Sequence, residues 1–157
     1  MTDQDHTHRA SRLIMASPSR IYDAWVRPES LVQWLPPKGA TGEIERFDPK
    51  EGGCFKIILS FDSDVGKSSV NSDVVLGRFL RLVPGREIVQ AIEFDSDRPE
   101  FEGTMTMSWS FEPSRENTLV TVVAKNVPEG ISRADHELGM ASSLENLAVF
   151  VERAPGH

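Results

Sequence analysis

Between Thr104 and Phe111 apolar and polar residues alternate without interruption, with Met105, Met107, Trp109 and Phe111 set against Thr104, Thr106, Ser108 and Ser110. A period of two places alternate side chains on opposite faces of a strand, so this segment predicts a strand with one dry and one wet face. The same period recurs upstream. Phe55, Ile57, Leu59 and Phe61 alternate with Cys54, Lys56, Ile58 and Ser60, and the first set is expected to face inward. Gly42 to Phe47, Val74 to Val83, Glu87 to Phe94 and Thr118 to Lys125 complete a run of strands. They are punctuated by turn residues at Asp48 to Gly53, Pro84-Gly85 and Glu116-Asn117, and by an acidic turn at Asp95 to Glu100. Asp62 to Asp73, rich in Ser, Asp, Gly and Asn, reads as an exposed, mobile hairpin loop.

The ends of the chain follow a different period. Arg9 to Ala16 is compatible with a first strand, after which Ser17-Pro18 marks a helix start running to about Val26. Pro28 interrupts it, and Glu29 to Leu35 forms a second short helix ended by Pro36, Pro37 and Gly39. At the other end Ser132, with Asp135 three residues on, opens a helix expected to run to about Arg153. Its predicted buried stripe is Leu138, Ala141, Leu144, Leu147, Ala148 and Val151, with Glu137, Ser142, Glu145 and Glu152 on the other side. Residues 154–157 read as a frayed tail.

The 157 residues suit a single domain over 1–157, with an ordered core of about 9–153. An apolar fraction of 39% beside 26% charged residues supports a buried core, and a net charge of −7 disfavours nucleic acid and anionic membranes as partners. The single cysteine, Cys54, permits neither an internal disulfide nor a multi-cysteine metal site. No apolar run approaches the roughly 18 residues of a membrane span, and the polar start lacks the pattern of a secretory signal. A soluble, cytoplasmic location is expected. A strand, two short helices, about six antiparallel strands and a long final helix predict an α+β helix-grip domain, in which a curved sheet wraps the C-terminal helix.

Several motifs along this order carry a resemblance. They are Ile21-Tyr22-Asp23-Ala24-Trp25 with Pro28-Glu29 and Gln33-Trp34, then Pro37-Lys38-Gly39, Gly52-Gly53-Cys54-Phe55, Gly77 ahead of Pro84, and Gly139 followed by Leu144-Glu145-Asn146-Leu147. In these the chain resembles the START-like or SRPBCC superfamily, and within it the domain similar to the C-terminal part of the activator of the heat-shock protein 90 ATPase. Met140 stands where that family usually has tryptophan, and Arg27 where it usually has an acid before the proline. The resemblance implies a pocket between sheet and helix, and a function in apolar ligand binding, cyclase-like chemistry or chaperone stimulation.

The residues themselves support chemistry less directly. The four histidines have no metal-ligand spacing, since His6 and His8 belong to an N-terminal tail, His136 to a helix start and His157 to the C-terminus. Asp62-Ser63-Asp64 and Asp95-Ser96-Asp97 lack the rest of a calcium loop and read as solvated turns. Neither a metal nor another cofactor is expected. Cys54 has no adjacent base and reads as a small strand residue.

The apolar face remains. Phe55, Ile57, Ile92, Phe94, Met105, Met107 and Trp109, capped by Met140, Leu144 and Leu147, either pack solidly or line a cavity, with Trp25, Trp34 and Leu35 at its mouth or in a homodimer interface. Gln90, in phase with Ile88, Ile92 and Phe94, is expected to point inward. Arg78, in phase with Val74, Leu76, Leu80 and Leu82, points inward too unless it snorkels from an edge or a bulge reverses it. With His136, these are the candidate catalytic groups. The leading expectation is a binder of a small hydrophobic or aromatic molecule; the alternatives are a chaperone-ATPase modulator or stress-response interaction protein, and a cyclase- or hydrolase-like enzyme acting on a hydrophobic substrate.

Overall fold

The computed structural model describes residues 6–62 and 71–152. The expected mobile loop therefore lies largely outside the described residues, as do Ser63-Asp64 of the first acidic turn and the C-terminal tail with His157. Strand β1 (His8–Ile14) is followed by helices α1 (Pro18–Val26) and α2 (Pro28–Trp34). Strands β2 (Ala40–Phe47), β3 (Cys54–Phe61), β4 (Ser72–Val83), β5 (Glu87–Phe94), β6 (Met105–Ser114) and β7 (Asn117–Lys125) come next, and α3 (Arg133–Glu152) ends the chain. The seven strands form one curved antiparallel sheet in the order β1-β7-β6-β5-β4-β3-β2. This is the α+β helix-grip arrangement.

Local chemistry sets the element ends. Ser17 accepts a hydrogen bond from the Arg20 backbone N–H at 3.2 Å, with Pro18 in the first turn of α1. Arg27, forced into an extended conformation by the proline that follows, separates α1 from α2 at φ −111° and ψ 116°. Pro28 itself occupies the first turn of α2, so the proline opens the second helix rather than only breaking the first. Ser132 caps α3 by accepting from the Asp135 N–H at 3.1 Å.

Two features of phase differ from the sequence expectation. On β4 the inward residues are Asp73, Val75 and Phe79, with Gly77 between them, while Leu76, Arg78 and Leu80 are exposed. The register shift between Phe79 and Arg81 then restores Leu82, opposite Ile88, to the inner face. Arg78 therefore points outward. Gly77 is the inward residue that looks like a gap because the Phe55 ring occupies its place; a Cβ there would lie 2.0 Å from Phe55 Cζ.

On α3 the buried residues are Met140, Ser143, Leu144, Leu147, Ala148 and Val151. Leu138 is 72% exposed and Ala141 is exposed as well, because both fall on the face of the helix shared with Glu145 and Val149. The helix packs along β1 and against α1 and α2, and its backbone stands off from the central strands. Its carboxylates also close the free edge of the sheet: Glu137 accepts from the Arg9 N–H and Glu152 from the Met15 N–H, each at 2.9 Å.

Candidate functional site

Where α3 stands off from the sheet there is a cavity of about 470 Å³. Its floor comes from inward residues of β3 to β6: Phe55, Ile57, Leu59 and Phe61; Asp73 and Val75; Gln90, Ile92 and Phe94; Met105, Met107 and Trp109. Trp25 of α1 closes one end. The N-terminal half of α3 and its approach form the roof through Ile131, Ser132, Asp135, His136, Gly139, Met140 and Ser143.

Hydrogen bonds from α3 hold the rim in place. Ser143 Oγ donates to the Leu35 carbonyl at 2.6 Å, Asn146 Nδ2 to the Pro36 carbonyl at 3.0 Å, and the Lys38 N–H to Ser142 Oγ at 3.0 Å. This fixes the segment that brings Leu35 and Pro37 to the cavity. On another side Phe101, in a short 3₁₀ turn at Pro99–Phe101, lines the space with the Arg98 guanidinium 4.5 Å above its ring. Glu100 is held below its ordinary pKa by its own backbone N–H and by Arg98. Gly130 docks on this turn, donating its N–H to the Glu100 carbonyl at 2.8 Å, and a Cβ at Gly130 would lie 2.7 Å from Phe101 Cε1.

The expected site residues divide into four groups. Phe55, Ile57, Ile92, Phe94, Met105, Met107, Trp109, Met140, Trp25, Leu35, Gln90 and His136 all line the cavity. Leu144 and Leu147 are buried but lie further along α3 in the solid core, outside the cavity wall. Trp34 is fully buried behind the wall, where its Nε1 donates to the Ala24 carbonyl at 3.0 Å. Trp25 and Trp34, expected at the cavity mouth or in a dimer interface, are interior, and they meet each other and Trp109 edge to face at centroid separations of 5.7 to 6.0 Å. Arg78 lies on the opposite face of the sheet from the cavity.

Two polar residues of this region escape the sequence reading. Asp73 is buried in the wall, and its inward phase is legible only once Gly77 is counted with Val75 and Phe79. His8 opens β1 rather than belonging to a tail, is 2% exposed, and sets its Nδ1 2.8 Å from Nδ1 of His136. One of these nitrogens donates and the other accepts, so the contact is made by neutral imidazole on at least one side. Burial holds the His8 pKa below its ordinary value; the Arg133 guanidinium and His6 add to the lowering, and Glu137 opposes it. His6 is placed by its own contact, Nδ1 to the Val127 carbonyl at 3.2 Å. Among the described residues no three His, Cys, Asp or Glu side chains converge as metal ligands, and no helix is long and apolar enough to cross a membrane.

A second depression, of about 560 Å³, lies at the β4–β5 hairpin beside Arg81, Arg86, Glu87, Ser110 and Glu112. Val83, Phe111 and Pro113 also line it, so polar and apolar surface are nearly balanced there, and its Arg81 is paired with Glu87.

Residues 15–152 match the family of the Activator of Hsp90 ATPase homolog 1-like protein. A search of curated proteins finds no significant match. Among solved structures, a protein from Chromobacterium violaceum is similar at 31% identity and a TM-score of 0.84, over 94% of this chain and 97% of that one. A protein from Staphylococcus epidermidis shares the fold at 18% identity and a TM-score of 0.77, over 100% and 96% of the two chains. One from Rhodobacter sphaeroides does so at 16% identity and 0.78, over 94% and 93%.

Proposed function

This chain belongs to the Activator of Hsp90 ATPase homolog 1-like family, and from that premise we propose that it binds a small hydrophobic or aromatic molecule between the sheet and α3. The observation that carries the proposal is the cavity of about 470 Å³ whose floor is mostly apolar, Asp73 and Gln90 being its polar members. That volume falls in the roughly 300–1,000 Å³ range of small-molecule sites. Leu59, Phe61, Phe94 and Met107 are only partly buried there, and each stands to lose apolar area to a ligand at about 25 cal/mol per Å². Met105, Met107 and Met140 give the wall flexible thioethers that fit irregular shapes.

Native mass spectrometry of the full chain with fluorene tests the proposal. One molecule per chain is expected, with binding abolished by a cavity-filling Met107→Trp variant that keeps its far-UV circular dichroism. Absence of a one-to-one complex, or binding indifferent to the filling, overturns it. The paired imidazoles support a second, catalytic reading, because His136 joins the cavity wall to a buried partner that fixes its ring. A hydrolysis or cyclisation activity insensitive to both His136→Ala and His8→Ala would remove that reading.

A further inference from the structure

We propose that the molecule held in this cavity carries a neutral hydrogen-bond acceptor, a ketone or similar uncharged carbonyl, as its polar group. The inference deepens the ligand-binding reading and rests on it.

Among the described residues, three buried side-chain polar atoms lack a hydrogen-bond partner: Trp25 Nε1, Gln90 Nε2 and Trp109 Nε1. All three residues line the cavity, and all three atoms are donors. They are contributed by α1, β5 and β6, so no single element's geometry accounts for the shortage. Gln90 is 1% exposed and Trp25 and Trp109 are 2% exposed, so bulk water does not serve them. The third tryptophan of the cluster is the contrast. Trp34 stands outside the wall, and its indole N–H is satisfied by the Ala24 carbonyl.

An orphan buried donor costs about 1–3 kcal/mol, and native interiors rarely carry several together. The edge-to-face indoles offer one another only π faces, which accept far more weakly than a carbonyl. The three nitrogens are themselves closed to anything the size of water, so a ligand oxygen relieves the cost by displacing the side chains beside them. The amide of Gln90 can also turn about its last torsion to meet it.

Charge selects among acceptors. The carboxylates of the described wall are Asp73 and Asp135, and neither lysine nor arginine lines it. A ligand carboxylate would therefore enter a site with two acids and no fixed cation, whereas a ketone brings an acceptor without a charge.

The test compares fluorene, 9-fluorenone and fluorene-9-carboxylate on the ¹⁵N-labelled full chain at pH 7.5. The three share one ring system, so fluorene supplies the ring-current baseline. We expect fluorenone to bind about fivefold more tightly than fluorene, the size of one net hydrogen bond, and the carboxylate most weakly. Relative to the fluorene complex, the indole N–H proton of Trp25 or Trp109 moves downfield with fluorenone, and that of Trp34 does not. Gln90→Leu reduces the preference for the ketone. Fluorene binding as tightly as fluorenone with matching indole shifts, or tightest binding of the carboxylate, overturns this inference and leaves the cavity reading intact. Failure of all three to perturb the cavity residues overturns both.

Discussion

Beneath the C-terminal half of α3, Leu144, Leu147, Ala148 and Val151 join Ile14, Ile21, Val120 and Val122 in a core closed to solvent. Beneath its N-terminal half, Met140 and Ser143 face Phe94, Met107 and Trp109 across open space. The residue types on the sheet are alike in both places. The helix follows β1 along its whole length, from Glu137 on Arg9 to Glu152 on Met15, and stands off from the central strands. What differs is that Ile21 of α1 helps to fill the space beneath the C-terminal half. The polar groups differ in the same way: Thr118 Oγ1 donates to the Ala16 carbonyl at 2.7 Å in the closed half, while the orphan donors Trp25, Gln90 and Trp109 all belong to the open half. A single sheet thus serves as a core where side chains fill the space under the helix and as a cavity wall where they do not.

Truncation separates the halves most strongly. Leu147→Ala should cost about 3 kcal/mol in urea unfolding, because it removes a fully buried side chain from the closed half. Met107→Ala, which enlarges a space already present, should cost less than about 1 kcal/mol. Equal losses would mean that the open half is packed in solution. Gly77→Ala is the next largest effect, at about 2 kcal/mol, since the new methyl meets the Phe55 ring. Adding Phe55→Leu should return part of that loss, and strict additivity in the double variant would contradict the contact. Gln90→Leu should stabilise the free protein by about 1 kcal/mol by removing a buried amide whose nitrogen has no partner. A loss of that size would instead reveal a partner for it.

The smallest effect concerns pH. His8 has a folded pKa below its ordinary 6.5, so the unfolded chain binds the proton more readily than the folded one. Its contribution to stability is present above pH 6.5 and is lost as pH falls through that value toward the folded pKa. Urea midpoints measured from pH 8 to 5 should decline across this window in the wild type and decline less in His8→Gln. An unchanged profile in the variant would remove His8 as the cause.

The periodicities carried the architecture because each element buries one face. The bounds of α1, the strand order by turns and the inward set of β3 follow from sequence spacing and capping alone. Phase failed where a local exception governed it. Leu76 and Leu80 are apolar residues on the wet face of β4, Gly77 looks empty because an aromatic ring fills it, and a bulge reverses the strand after Phe79. On α3 the predicted stripe holds at Leu144, Leu147, Ala148 and Val151, and fails at Leu138 and Ala141, which are apolar but exposed. The cavity was legible as a set of residues but not as a space. Met140 and Leu144 are one helical turn apart and both buried, and only the filling of the space beneath them puts the first in the wall and the second in the core. The His8–His136 contact joins residues 128 positions apart, a tertiary pairing without a local signal.

The methionine methyl groups report on the central claim directly. Met105, Met107 and Met140 line the cavity, whereas Met15 lies outside it and is exposed. In ¹H–¹³C spectra of the full chain titrated with fluorene, the three lining methyls should shift together and saturably while that of Met15 stays in place. Lining methyls that do not move, or a Met15 methyl that moves with them, would contradict the account.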